Sequence, residues 1–105
     1  MALLVEKTDT MIRLHVGSIL MAGNPAFREF EECLHRVMRQ NYSIVMIDFS
    51  DCIYIDSHAI TALISMYRRL KSNNRVLKIS NANEEISELL RAIQLDRIIE
   101  MERCG

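Results

Sequence analysis

The sequence predicts an α/β fold, a single domain with a mixed, mostly parallel sheet of four to five strands and three main helices. The chain has 105 residues and 50% hydrophobic content, which is enough for one core and too little for two. Short apolar or β-branched segments alternate with longer segments of helical periodicity, in the order β-β-α-β-α-β-α-β. Strands joined through helices run parallel, so only the first strand is expected to be antiparallel. One domain is therefore expected over residues 1–105.

The amino-terminal part predicts a hairpin followed by a helix. Residues 3–6 and 11–16 are apolar or β-branched, and the polar residues between them are typical of a turn. Asn24 and Pro25 then supply an N-cap and a first-turn residue. The amphipathic helix that they open is expected to end near residues 40–41.

The remaining elements alternate between strand and helix. Residues 43–49 are almost continuously apolar, which predicts a central strand with both faces at least partly covered. Residues 57–72 carry an apolar stripe opposite a polar one, as an amphipathic helix does. A strand over residues 75–80 and a third helix capped by Asn83 follow. Residues 95–99 are expected to form a turn and a short last strand.

Charge and hydropathy exclude several classes of partner. Thirteen Lys and Arg against fourteen Asp and Glu give a net charge of −1, so no basic field exists to hold nucleic acid or an anionic bilayer. No apolar run approaches the length of a membrane helix, and the first one breaks to charge too early for a signal peptide. We therefore expect a cytoplasmic protein that recognises its partners by shape.

The thiols and imidazoles do not suggest a metal site. Cys33, Cys52 and Cys104 lack the close paired spacing of a zinc or redox motif, so we expect reduced thiols, with Cys33 and Cys52 in the core. None of the three histidines has a Cys or His at ligand spacing, and no metal is predicted.

Nothing in the sequence indicates catalysis. No Gly-rich phosphate loop is present, and no cofactor is expected. Asp56, Ser57 and His58 are the residue types of a hydrolase triad, but neighbouring side chains on a helix point about 100° apart and cannot align as nucleophile, base and orienter. We predict a binding protein rather than an enzyme.

The most informative motif lies where the central strand leads into the second helix. The strand ends in Asp48, and Asp56-Ser57-His58-Ala59-Ile60 follows at a helix start. Together with the later strands and the capped third helix, this stretch resembles the STAS domain of anti-sigma-factor antagonists over essentially the whole chain. The motif of that family is Asp-Ser, then Ser or Thr, then Gly, then Leu or Ile. His58 and Ala59 depart from it, and Gln94 replaces the glycine of a later turn.

The resemblance implies a regulatory switch at Ser57. In the family, this serine is phosphorylated by a partner that is both an anti-sigma factor and a serine kinase of the histidine-kinase-like ATPase type, and a serine phosphatase reverses the modification. The unphosphorylated protein binds that partner and releases the sigma factor. A phosphate would add roughly −1.5 to −2 charge beside Asp56 and convert a neutral docking surface into an anionic one.

The predicted switch surface joins the start of the second helix to the loop before the first. Among the methionines, Met66 is predicted to reach a partner, and the others to fill gaps in the core. The predicted partner-binding residues are Asp56, Ser57, His58, Ala59, Thr61, Ala62, Gly23 and Asn24.

Two alternatives remain open from the sequence. Asp-Ser at a helix start is also what an ordinary N-cap looks like, with no function attached. The chain could then be a non-catalytic STAS adaptor or scaffold subunit, as in stressosomes or lipid-transport complexes, with Ser57 as a helix cap or docking contact. The sequence leaves the oligomeric state undecided.

Overall fold

The computed structural model describes residues 4–17 and 19–102. Within these ranges the chain alternates between strands and helices, with a 3-10 turn over Leu95–Arg97 before the last strand. The elements are β1 (Leu4–Lys7), β2 (Met11–His15), β3 (Ile19–Leu20), α1 (Pro25–Met38), β4 (Ile44–Asp48), β5 (Tyr54–Ile55), α2 (Ser57–Ser72), β6 (Val76–Ser80), α3 (Glu84–Ala92) and β7 (Glu100–Glu102).

The main sheet has five strands in the order β1-β2-β4-β6-β7. β1 is antiparallel to β2, and the other neighbours are parallel. The predicted α/β class, the mostly parallel sheet and the antiparallel first strand are confirmed. β4 is the middle strand, and residues 45–48 are buried, as its unbroken apolar sequence predicts.

A second sheet was not predicted. β3 and β5 pair in parallel, with Ile19 opposite Tyr54 and Leu20 opposite Ile55. Each strand has two residues, which is too short for an alternating pattern to be read from the sequence. This small sheet joins the segment after β2 to the segment after β4, just before α2 begins.

The three helices pack on one face of the main sheet. The chain steps from β2 to β4, β6 and β7 in one direction, and right-handed crossovers with a common direction place their helices on one side. Alternate strand residues such as Leu14, Ile47 and Ile79 belong to the core on this side. The opposite side, which we call the open face, carries charged side chains.

On the open face, cross-strand neighbours form charged rows. One row places Glu6, Arg13, Met46, Lys78 and Glu100 side by side. The Lys78 ammonium contacts the Glu100 carboxylate at 3.2 Å. Met46 is buried but lies outside the core cluster, because it is covered by its charged neighbours in the row. An Arg13 guanidinium nitrogen lies 3.0 Å from the Met46 sulfur.

Two predictions about the core are confirmed and one is wrong. Cys33 and Cys52 are buried and reduced, whereas Cys104 lies outside the described residues. Met66, predicted to reach a partner, is only 3% exposed. It lies on the inner stripe of α2, at helical spacing from Leu63 and Leu70, and this stripe packs into the core.

The end of the chain departs from the predicted bounds. Residues 95–99 were expected to contain the last strand, but β7 lies over Glu100–Glu102. Turn hydrogen bonds from the Ile98 and Ile99 N–H groups to the Leu95 carbonyl occupy the preceding segment. Gln94, which stands where the resemblance expects glycine, has φ 62° in the left-handed region. Gln94 therefore adopts this turn conformation at a cost in conformational energy that glycine would not have.

Candidate functional site

Asp56, rather than Ser57, caps α2. The Asp56 backbone is extended, and its Oδ1 accepts a hydrogen bond from the Ala59 N–H at 3.0 Å. This is the usual N-cap arrangement. Ser57 is the first helical residue. The alternative interpretation of Ser57 as the helix cap is therefore wrong, because Asp56 fills that role.

Asp56 also ties the helix start to the segment before α1. Its Oδ2 accepts a hydrogen bond from the Ala22 N–H at 3.0 Å, and its own N–H donates to the Leu20 carbonyl at 3.2 Å. Both carboxylate oxygens are thus engaged by backbone donors on different segments. The structure in this way brings Gly23 and Asn24 next to the start of α2.

The Gly23–Asn24 turn is shaped by its own backbone. Gly23 has φ +87°, which favours glycine, and a Cβ added there would point into open space. Asn24 caps α1, since its Oδ1 accepts from the Ala26 N–H at 2.9 Å. A surface cleft of about 650 Å³ runs along this turn and the first turns of α1, bounded by residues 22–31.

Ser57 is exposed at the surface. Across residues 4–17 and 19–102 its hydroxyl makes no hydrogen bond, while its carbonyl accepts from the Thr61 hydroxyl at 2.9 Å. The first backbone bond inside α2 runs from the Ile60 N–H to the Asp56 carbonyl at 3.2 Å. The N–H groups of Ser57 and His58 precede that bond, as the first donors of any helix do. A phosphate on Ser57 would lie beside these donors.

Asp56 is held as an anion. Partial burial acts to raise the pKa of its carboxyl, but the hydrogen bonds from the Ala59 and Ala22 N–H groups and the neighbouring His58 ring outweigh it, and the pKa lies below its ordinary value. The His58 Nδ1 lies 3.4 Å from the Asp56 Oδ2, and the His58 side chain is 69% exposed. His58 therefore presents its ring to solvent beside Ser57.

Ala59 does not contribute its side chain to the surface. It is one of the predicted partner-binding residues, but it is completely buried. It shares the inner stripe of α2 with Leu63 and Met66, and only its N–H serves the site, by donating to Asp56. Thr61 is exposed, and Ala62 is half-buried at a small groove between α1 and α2.

Three exposed apolar residues beside Asp56 were not predicted. Met21, Ile53 and Tyr54 are 37%, 65% and 50% exposed, and we call them the apolar rim. Met21 follows β3, and Tyr54 lies in β5, so the small sheet brings them together. In the sequence, Ile53 and Tyr54 belong to a short apolar run that is indistinguishable from core until its pairing is known.

Within residues 4–17 and 19–102, no group of three or more His, Cys, Asp or Glu side chains is placed to hold a metal ion. No helix in these ranges is long and apolar enough to cross a membrane. Ser57 follows Asp56 directly and is exposed, and the apolar rim lies on the two segments that Asp56 ties together.

These features define a small α/β domain whose candidate site is the exposed serine at the start of α2. The model of the STAS domain family matches residues 2–103. The chain belongs to the STAS domain family.

Solved structures share this fold at low sequence identity. A Thermotoga maritima protein assigned as an anti-sigma factor antagonist has a TM-score of 0.86 and 19% identity, over 95% of this chain and 85% of that one. An anti-sigma factor antagonist from Mycobacterium paratuberculosis has a TM-score of 0.81 and 16% identity, over 96% and 84%. The phosphorylated form of the Bacillus cell fate determinant SpoIIAA has a TM-score of 0.77 and 13% identity, over 99% and 92%. A search of curated protein sequences finds no match.

Proposed function

We propose that this chain is an anti-sigma-factor antagonist whose binding to an anti-sigma factor is switched by phosphorylation of Ser57. The observation that carries the proposal is the exposed Ser57 hydroxyl at the first position of α2, next to the capping Asp56 and with no hydrogen-bond partner in the described part of the chain. Membership of the STAS family supports it, as do structural neighbours described as anti-sigma factor antagonists. One of those neighbours, SpoIIAA, is known in a phosphorylated form.

The docking surface lies around the start of α2. It comprises Asp56, Ser57, His58, Thr61 and Ala62, the Gly23–Asn24 turn, and the apolar rim of Met21, Ile53 and Tyr54. Apolar side chains of this size would supply most of the contact area, because burial of apolar surface drives association. Asp56 acts mainly as a scaffold, since both of its oxygens already accept backbone hydrogen bonds.

Phosphorylation would switch this surface by charge. A phosphate on Ser57 brings roughly −1.5 to −2 charge next to the Asp56 anion and the apolar rim. Burying that charge in an apolar interface without a cationic partner is unfavourable, so the modified protein would dissociate from the anti-sigma factor. The first N–H groups of α2 would stabilise the phosphate in the free protein. Binding and phosphorylation are then alternatives.

The partner that fits this scheme is an anti-sigma factor with serine kinase activity of the histidine-kinase-like ATPase type. A serine phosphatase would regenerate the binding form. The chain itself acts by binding and not by catalysis, in the cytoplasm, where sigma factors work. It needs no cofactor for this role.

The test is to locate the phosphate. The purified chain is incubated with ATP and the anti-sigma kinase of the same organism, and the modified residue is identified by mass spectrometry. We expect phosphate on Ser57 and no incorporation into Ser57→Ala, while Ser43→Ala, which changes an exposed loop serine, is modified like the wild type. Phosphate on Ser50, Thr61 or Ser65 with Ser57 unmodified would refute the proposal. A stable complex with transporter or scaffold subunits and no kinase would favour the adaptor role.

A further inference from the structure

A buried carboxylate lies on the open face, at the end of β4. The Asp48 side chain is 2% exposed, and its cross-strand neighbours are His15 on β2 and Ser80 on β6. The Arg13 Nη1 lies 3.5 Å and the His15 Nδ1 3.4 Å from the Asp48 Oδ2. The other ring nitrogen of His15 contacts the Glu6 carboxylate on β1 at 2.6 Å. This charge cluster plays no part in the docking surface described above.

The same carboxylate holds the first residues after β4. The Asp48 Oδ1 accepts a hydrogen bond from the Ser50 N–H at 2.8 Å, and the Asn81 side-chain amide lies 3.4 Å from both oxygens. Burial acts to raise the pKa of Asp48, but the hydrogen bonds from Ser50 and Asn81 and the charge of His15 outweigh it and lower the pKa. Asp48 is therefore an anion at the root of the loop that leads to Ser57.

Two segments start from this point and meet again at Asp56. The Val16 N–H donates to the Asp48 carbonyl at 3.1 Å, so the segment that follows β2 starts beside the segment of residues 49–56. The two segments then pair as β3 and β5, and finally the Ala22 N–H binds the Asp56 carboxylate. Asp48 thus lies where the two segments begin, and Asp56 lies where they are joined again.

We propose that Asp48 is a positioning residue for the switch surface. Its carboxylate fixes the start of residues 49–56 through Ser50, and it fixes the end of β2, where the other segment begins, through Arg13 and His15. Both segments therefore reach Asp56 in the register that holds Ser57 and the apolar rim in place. The open face and the switch surface are in this way mechanically linked. The consequence for phosphorylation rests on the proposed function, whereas the positioning itself does not.

Amide hydrogen exchange measured by NMR tests the positioning on the isolated protein. Asp48→Asn keeps the shape of the side chain but removes its charge, and Asp51→Asn is the control, because Asp51 is exposed three residues further along. We expect exchange at the Ala22 and Ala59 amides, which bind Asp56, to become about five- to tenfold faster in Asp48→Asn, as the loss of one hydrogen-bonded contact predicts. The amides of Ile47 and Leu63 in the core should change much less.

Two results would overturn the proposal. Unchanged exchange at Ala22 and Ala59 would show that Asp48 does not position the segments. An equal acceleration at all amides would show that Asp48 only stabilises the fold as a whole. Should Asp48→Asn not fold, His15→Gln replaces it, because this change removes the His15 ring from Asp48 and leaves the Asp48 carboxylate in place. The same acceleration at Ala22 and Ala59 is expected, and its absence refutes the idea.

Phosphorylation kinetics separate this proposal from the one on which it rests. In Asp48→Asn we expect a several-fold lower rate of Ser57 phosphorylation at subsaturating protein, with Asp51→Asn unchanged. If wild-type protein is not modified at Ser57, the proposed function fails while the exchange result still stands. If it is modified and Asp48→Asn is modified at the wild-type rate, the link between Asp48 and the switch surface is refuted while the proposed function survives.

Discussion

Ala59 is the position at which this chain can be compared most directly with the motif of its family. The family motif has glycine there, and Ala59→Gly restores it. The Ala59 methyl group lies on the inner stripe of α2 and is completely buried in the core. The change removes that methyl, at about 0.8 kcal/mol of lost burial, and introduces glycine into a helix, at up to about 1 kcal/mol. We therefore expect the free energy of unfolding to fall by about 1.5 to 2 kcal/mol.

Ala62→Gly is the matched control for this prediction. It carries the same helix cost, but its side chain is only half-buried, so we expect a loss of about 1 kcal/mol. Urea unfolding followed by circular dichroism gives both values, and equal slopes with urea concentration would show that both variants unfold alike. Affinity for the anti-sigma factor should stay within a factor of about two for folded Ala59→Gly, because the methyl group does not reach the surface. A loss no greater than that of Ala62→Gly would refute the packing argument.

Two further predictions concern charge. Ser57→Ala should keep its affinity for the anti-sigma factor but resist being switched off, whereas Ser57→Asp should bind more weakly because its carboxylate supplies part of the charge of the phosphate; equal affinities by titration calorimetry would contradict the switch. The second prediction concerns the stability of the fold at acid pH. The pKa values of Asp48 and Asp56 are lowered in the fold, so the unfolded chain binds protons at a higher pH than the folded chain does. The stability that these two carboxylates contribute is therefore complete above about pH 4 and is lost as the pH falls through their lower folded pKa values. Urea unfolding between about pH 5 and 2 should show this decline, and a curve for Asp48→Asn as steep as that of the wild type would argue against it.

The sequence determined the class of the fold and the location of the site. The apolar periodicity of residues 57–72 matches α2 to the residue, and the unbroken apolar run at residues 43–49 marks the buried central strand. Both features are local, because the period of a helix and the apolar run of a buried strand can be recognised from consecutive residues. The helix start at Asp56 and Ser57 could be recognised because it has a short, local signature, and the resemblance to the STAS motif singled out Ser57.

Tertiary structure decided which side chains reach the surface. Ala59 and Met66 were predicted to face a partner, but the rotation of α2 about its axis is set by packing against the sheet and turns both inward. The apolar rim is the opposite case, because Met21 and Tyr54 look like core residues until the two-residue strands β3 and β5 pair and leave them exposed.

The surroundings of Asp48 and Asp56 depend on contacts between residues that are far apart in the sequence. The contact between Ala22 and Asp56 joins residues that are 34 apart in sequence, and the contact between Asp48 and Asn81 joins residues that are 33 apart. No pattern in neighbouring residues specifies such a contact, because in the sequence Asp48 is only the end of a strand and Asp56 only part of a helix start. The sequence by itself thus determined the main elements and the candidate serine. Only the packed fold decided that Asp56 is the cap, that the Ser57 hydroxyl has no hydrogen-bond partner within residues 4–17 and 19–102, and that Asp48 lies where the two segments that meet at Asp56 begin.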